Sequence, residues 1–261
     1  MLTWLMLLLA VGSGWTDHRS FENGRDGAVA VGPTGLGKRG AFPATTFSAK
    51  RAYSGRQSAR ATIERGSRGL GKWGGVLTFP EPLHENETLW MLLHVYLPDD
   101  FDWRAEGRGW RLVQVVTLSA SREVEGAIDI SIDPQTRRLN VDNSVTGASF
   151  SSTDPGRRCG IPVPLGKWQA VEVQVRWAAQ HGRGVVRVWQ DERMVYEETS
   201  RATLKTPFSH VRFAYLLGKW PGGAPRSQSI WLDDVVATNQ TPDQRDRRGN
   251  PRLWPREGKG R

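Results

Sequence analysis

The stretch Trp168-Gln-Ala-Val-Glu-Val-Gln-Val-Arg-Trp177 alternates apolar and polar side chains along its length. A period of two places Val171, Val173 and Val175 on one face and Glu172 and Gln174 on the other. This pattern is typical of a β-strand with one buried face.

The residues that follow repeat the pattern. Residues 180–184 contain two glycines and predict a turn, Val185–Gln190 predicts the next strand, and residues 191–193 turn into Met194–Tyr196. The sequence therefore predicts a meander of three antiparallel strands.

Similar short runs, rich in Val, Ile, Trp and Phe, occur along most of the chain and are separated by Gly, Pro, Asp and Asn. None of them is followed by a helical pattern, which favours an all-β sandwich or barrel over βαβ units. A chain of 261 residues suits one large sandwich. The remaining predicted strands are Leu89–Leu97, Leu112–Leu118, Ala127–Ile132, Arg138–Asp142, Val211–Leu216 and Ser229–Ala237.

Composition narrows the class of partner. The net charge of +9 favours anionic partners such as acidic polysaccharide, nucleic acid or membrane surface, and the 12 Trp can supply core packing or flat faces for sugar rings. Cys159 is the single cysteine, so no intramolecular disulfide can form. No histidine motif supports a catalytic thiol, and Cys159 is interpreted as a small structural residue.

The two ends of the chain differ from the middle in amino-acid composition. Met1–Val11 is apolar and is followed by small residues, which predicts a signal peptide over residues 1–14 and a secreted or periplasmic protein. From residue 241 onward seven basic residues face three acidic ones, which predicts a basic disordered tail over 241–261. The folded domain is then expected over residues 20–240.

The order of the motifs resembles a known family. Phe21-Glu-Asn-Gly24 opens the domain, Gly166-Lys-Trp168 introduces the meander, and Ile230-Trp-Leu-Asp-Asp-Val-Val236 closes it. Together with Tyr53–Ser58 and Val188–Arg193, this order resembles the concanavalin A-like lectin/glucanase superfamily, and within it the jelly-roll polysaccharide lyases that act on alginate, glucuronan and heparin. The resemblance covers roughly residues 21–239.

The resemblance implies a β-jelly-roll of two curved antiparallel sheets, with an acidic polysaccharide bound across the concave one. Lyases of the alginate type carry an Arg, a Gln-x-His pair and a late Tyr near a basic residue, and require no cofactor. Loss of the C5 proton of a uronate requires a neutralised carboxylate and a proton-transferring side chain.

Only part of that set is found at matching positions. Arg60, with Arg65 as an alternative, is the candidate for the Arg, Gln114 for the Gln, and Arg212 and Tyr215 for the late pair. The position two after Gln114 is a valine instead of a histidine, and regular alternation would point Arg212 and Tyr215 to opposite faces. Candidate substrate-binding residues are His210, Lys219 and Trp220.

The pair Asp233-Asp234 has two interpretations. A glycosidase would use two nearby carboxylates, but the E-x-D-x-x-E arrangement of the glucanase branch is absent. The resemblance instead implies that the terminal acid joins the first and last strands, with a structural Ca²⁺ held by Glu22 and Asp234 as a further hypothesis.

Two other functions stay open. A non-catalytic carbohydrate-binding module would have the same groove without a base, and the missing histidine favours it. A nucleic-acid or membrane-surface binder driven by the basic tail is the other alternative, although no nucleic-acid motif is recognisable. The first hypothesis is a monomer that binds an acidic polysaccharide, with cleavage by β-elimination implied by the resemblance, and with no nucleic-acid or membrane partner.

Overall fold

The structure is a computed structural model that describes residues 14–37, 45–68, 73–103, 110–145, 158–218, 220 and 222–253. Apart from Gly14, the predicted signal peptide lies outside these residues. The strands are β1 Thr16–Arg19, β2 Thr45–Ser48, β3 Ser58–Ile63, β4 Gly75–Leu83, β5 Thr88–Tyr96, β6 Trp110–Leu118, β7 Val124–Ile132, β8 Leu139–Asn143, β9 Arg158–Cys159, β10 Trp168–Arg176, β11 Val185–Gln190, β12 Arg193–Glu198, β13 His210–Leu216, β14 Gln228–Thr238, β15 Gln244–Arg245 and β16 Pro251–Arg252.

Two antiparallel sheets form the sandwich. The eight-stranded sheet has the order β12-β11-β10-β5-β14-β3-β2, with β1 added along β14, and the six-stranded sheet has the order β4-β13-β6-β7-β8-β9. The predicted all-β fold is confirmed, and the predicted meander appears as β10-β11-β12. No helix among the described residues is long and apolar enough to cross a membrane.

Alternation along the strands builds the core between the sheets. Val171, Val173 and Val175 of β10 are buried there with Ile128 and Ile130 of β7 from the other sheet. The intervening side chains of both sheets therefore point outward, so the sandwich has two separate outer faces.

One end of the core is filled by aromatic rings. Trp73, Trp110 and Trp220 are fully buried, and their ring centroids lie 5.6–6.2 Å apart. The ring of Phe101 lies 6.0 Å from that of Trp220. Trp220, a candidate substrate-binding residue in the sequence, is therefore part of the core and cannot contact a ligand at the surface, which corrects that expectation.

The chain ends are tied to the eight-stranded sheet. β1 pairs with β14 from Thr16↔Thr238 to Arg19↔Val235, so the domain begins before residue 20. Residues 241–253, expected to be disordered, contain the short hairpin β15-β16. It is anchored because Trp189 Nε1 donates to Asp246 Oδ2 at 3.0 Å and because the buried Arg252 faces Glu172.

Replacing Trp220 with alanine should lower the free energy of unfolding by about 3–5 kcal/mol, because it leaves a cavity among packed rings. Chemical denaturation measures the change. Phe208→Ala is the control: Phe208 is 79% exposed, and its loss should change stability by less than about 0.5 kcal/mol. Equal effects of the two substitutions would contradict the buried position of Trp220.

Glu172→Ala should destabilise the protein by about 3–5 kcal/mol and release the hairpin, because it leaves Arg252 buried without its anion. The Arg252 Nε to Glu172 Oε2 distance is 3.7 Å, and the Leu253 amide also donates to this carboxylate. Hydrogen exchange of residues 244–252 reports the release.

Glu198→Ala is the matched control for Glu172→Ala, because Glu198, on β12 of the same sheet, forms a more exposed pair with Arg201 at 3.4 Å that includes no residue of the hairpin. It should cost no more than about 1 kcal/mol. Unchanged protection of the hairpin in Glu172→Ala would show that the carboxylate is not its anchor.

Candidate functional site

A β-bulge in β6 aims two polar side chains at the outer face of the six-stranded sheet. Arg111 lies opposite Ser131 and Val113 opposite Ile130, which leaves Leu112 as an extra residue. Leu112 and Val113 both point into the core. Arg111 and Gln114, three positions apart, therefore share the outer face.

A second bulge does the same in the neighbouring strand β13. Val211 pairs with Thr117 and Ala214 with Val115, so that Arg212 and Phe213 lie opposite a single residue of β6. Val211 and Ala214 are in the core, whereas Arg212 and Tyr215 line one cleft on the outer face. The expectation that alternation separates Arg212 from Tyr215 is thus corrected by the extra residue.

Together the bulges align a polar row across four strands. Tyr215 lies opposite Gln114, Gln114 opposite Asp129, and Asp129 opposite Asp142. Neighbours in such a row have Cα atoms about 4.5–5.5 Å apart. Arg111 joins the row from the side, with its Nη2 3.3 Å from Asp129 Oδ2.

The buried carboxyl group of Asp129 has a pKa well above the usual value for an aspartate. The pKa of Asp129 is raised to about 6: burial, and to a lesser extent the charge of Asp142, raise it, whereas Arg111 and a hydrogen bond from Gln114 lower it. Asp129 therefore loses its proton near pH 6, and the row changes charge in this range. His210 is the first residue of β13, and burial together with the charge of the nearby His84 lowers its pKa.

The row forms the floor of two adjoining clefts. The first has a volume of about 520 Å³ and is lined by Arg111, Gln114, Asp129 and Tyr215 among others. The second, about 450 Å³, holds Arg212, and both are bordered by Tyr215. Because residues of β6, β7 and β13 line the clefts, a ligand bound in both would cross these strands.

The structure brings together only part of the predicted site. Gln114, Arg212 and Tyr215 share this face, and His210 lies at its edge, with its ring 6.0 Å from that of His84. Arg60 lies opposite Trp231 on the eight-stranded sheet, and the whole core separates it from Gln114. Its expected place beside Gln114 is corrected for that reason.

The two remaining predicted substrate-binding residues do not line the clefts. Lys219 lies outside the described residues, and Trp220 is in the core. The alternative Arg65 follows the end of β3, a strand of the eight-stranded sheet.

Sequence reasoning missed Arg111 and Asp129. Arg111 and Gln114 are separated by two apolar residues, Leu112 and Val113, which is the spacing that a bulged strand produces. Asp129 lies between Ile128 and Ile130, and a charged residue inside an apolar strand indicates a group that is paired or functional.

The two candidate calcium ligands have protein partners instead. Glu22 Oε1 accepts hydrogen bonds from the amides of Arg56 and Gln57 at 2.9 and 3.0 Å. Asp234 Oδ1 lies 3.0 Å from His18 Nε2, and this hydrogen bond raises the pKa of His18. Within the described ranges no three His, Cys, Asp or Glu residues gather in a way that could hold a metal ion, and the structural Ca²⁺ at Glu22 and Asp234 stays a prediction.

Asp234 instead links the first and last strands through protein contacts alone, because His18 belongs to β1 and Asp234 to β14. This contact joins the first strand of the sandwich to β14, as the resemblance implied for the terminal acid.

Several solved structures have a similar fold, and three of them are polysaccharide lyases. An endo-β-1,4-glucuronan lyase from the fungus Trichoderma reesei is 14% identical with a TM-score of 0.53, covering 78% of this chain and 94% of the lyase. The alginate lyase Aly36B is 12% identical, with a TM-score of 0.60 and coverage of 85% and 96%. The alginate lyase vAL-1 from a Chlorella virus is 11% identical, with a TM-score of 0.56 and coverage of 75% and 89%.

At the level of sequence, no curated protein matches the chain. The family model for polysaccharide lyases, by contrast, matches residues 37–236. That range contains the whole row from Tyr215 to Asp142 and the central strands of both sheets. The chain therefore belongs to the polysaccharide lyase family.

Proposed function

We propose that the protein binds an acidic polysaccharide along the clefts of the six-stranded sheet and cleaves it by β-elimination. Membership of the family supports carbohydrate binding or cleavage. The acidic substrate and the reaction are the proposal, and the observation that carries it is the alignment of Tyr215 and Gln114 beside Arg111 on one cleft floor.

Arg111 takes the role first given to Arg60. Its guanidinium is about one-third exposed at the cleft and is paired with Asp129. A uronate carboxylate can accept hydrogen bonds from Arg111 and from the amide of Gln114, and this withdraws charge from C5 and acidifies the C5 proton.

Tyr215 transfers the proton in this scheme. In its deprotonated form Tyr215 takes the proton from C5. The electrons of the C5–H bond form the C4–C5 double bond, and the bond from C4 to the glycosidic oxygen breaks. The phenol then returns the proton to the departing oxygen, so Tyr215 ends in its starting state.

A second candidate function is non-catalytic binding in the same clefts. The observation in its favour is Val116, which stands where alginate-type lyases carry a histidine and which lines the first cleft. With a valine there, Tyr215 has no histidine neighbour at this position to share the proton transfers.

Tyr215→Phe should abolish most formation of unsaturated product from glucuronan, alginate or a heparan-type chain, with a loss of about 10²–10⁴-fold in kcat. Ultraviolet absorbance of the C4–C5 double bond follows the reaction. Arg111→Ala should raise KM, because the carboxylate is bound less well, and should also lower kcat, because the negative charge that develops in the transition state loses its stabilisation by the guanidinium.

Arg193→Ala is the control for these variants, since Arg193 is exposed on the far edge strand of the other sheet. It should leave the rate unchanged. No product from any of the polymers, combined with retardation of the protein in gels that contain one of them, would contradict the lyase and leave the binding module.

Binding of a short uronate oligosaccharide should tighten about tenfold as the pH falls through about 6, because Asp129 becomes neutral and stops repelling the ligand. The dissociation constant can be measured by calorimetry in the Tyr215→Phe background. Asp129→Asn should bind with the tighter constant at every pH. The same pH dependence in Asp129→Asn would assign it to another group.

A further inference from the structure

The outer face of the eight-stranded sheet carries a second ordered row, far from the clefts. Trp168 lies opposite Tyr96, Tyr96 opposite Trp231, and Trp231 opposite Arg60. The row thus crosses β10, β5, β14 and β3 and ends in a cation.

Three cations converge on one ring of this row. Lys50 Nζ, Arg51 Cζ and Arg60 Cζ lie 5.9, 5.3 and 5.8 Å from the centroid of the Trp231 ring, and Arg51 also lies 4.3 Å above Tyr96. We call Lys50, Arg51, Arg60 and Trp231 the cation patch. Like charges this close repel one another, and the aromatic faces offset only part of that repulsion.

The cation patch has no matching anion. In the part of the chain that the structure describes, none of its three cations has a carboxylate within 4.0 Å, and Arg51 Nε is buried without a hydrogen-bond partner. Asp100, whose charge is felt by Lys50, is paired with Arg226 at 2.7 Å. The exposed side chains of Lys50 and Arg60 can receive a carboxylate or sulfate group.

The loop that supplies two of these cations is fixed in place. Asp233 Oδ2 accepts hydrogen bonds from the amides of Tyr53 and Ser54 at 2.7 and 3.2 Å. Ser58 Oγ donates to the carbonyl of Arg51 at 2.6 Å. A ligand therefore meets donors that are already positioned, which lowers the entropic cost of binding.

We propose that the cation patch is a second binding site for an acidic polysaccharide, on the face of the sandwich opposite the clefts. An anionic group of the glycan lies among Lys50, Arg51 and Arg60, and a neighbouring sugar ring packs on the partly exposed rings of Tyr53 and Trp168. The ligand class rests on the proposed function, whereas the site itself does not involve the clefts.

A glycan fits this surface better than a nucleic acid. The cations gather around a single ring instead of forming a stripe along a strand, as a phosphate backbone would require. The flanking rings Tyr53 and Trp168 are 71° apart in orientation, which suits the faces of successive sugar rings and not a stack of bases.

The test is affinity electrophoresis of the full chain in gels that contain glucuronan, alginate or a heparan-type chain. The starting protein carries Arg111→Ala and Gln114→Ala, which disable the clefts. It should still be retarded, and adding Lys50→Gln, Arg51→Gln and Arg60→Gln should abolish the retardation. Arg51→Lys with Arg60→Lys keeps the charges and should keep most of the retardation, and circular dichroism verifies folding of each variant.

The matched control removes the same charge elsewhere on the protein, with Arg193→Gln, Arg247→Gln and Arg248→Gln, and should leave the retardation unchanged. An equal loss in this control, or undiminished retardation after loss of the patch cations, would overturn the proposal. Stronger competition by single-stranded DNA than by soluble glycan would also overturn it, in favour of a nucleic-acid site. Failure of cleavage alone would contradict the proposed function and leave the cation patch standing.

Discussion

The arrangement of the candidate site depends on one constraint. A strand in a sandwich must keep its apolar side chains between the sheets, even where polar side chains that regular alternation would separate have to share the outer face. In β6, β13 and β14 the constraint is met by an extra residue in the strand. Leu232 and Val235 of β14 stay in the core while Asp233 and Asp234 between them turn away from it, as Arg111 and Gln114 do in β6 around Leu112 and Val113. A bulge thus brings polar side chains to the same outer face while the apolar side chains of the strand stay packed in the core.

The same core separates two chemically different faces. The six-stranded sheet exposes a row that mixes hydrogen-bond donors and acceptors with a titratable carboxylate, which suits recognition of a polar, charged chain at a reacting centre. The eight-stranded sheet exposes cations over aromatic rings, which suits retention of an anionic chain without chemistry. Because the two sheets share one rigid core, either face can change its side chains while the other keeps its geometry.

Much of the fold could be predicted from local pattern, because alternation in segments such as Trp168–Trp177 is set by burial alone. The candidate site was harder to predict from the sequence. Simple alternation separates Arg212 from Tyr215 and gives no reason to single out Arg111, since a bulge is defined by the partner strand and not by the strand itself. The glycines and prolines around Trp220 favoured a surface loop. Its ring instead packs against Trp73 and Trp110, which are distant in sequence. The placement of Arg60 required knowledge of which sheet receives β3.

The pairing of β1 with β14 has a consequence for biogenesis. Thr16 and Thr238, which also share a hydrogen bond between their hydroxyl groups, are 222 residues apart in sequence. The eight-stranded sheet cannot close until almost the whole chain has left the ribosome, and a topology with such distant contacts folds slowly. Until β14 emerges, its neighbours β3 and β5 each have an edge without a partner, and this edge can pair with strands of other chains and lead to aggregation.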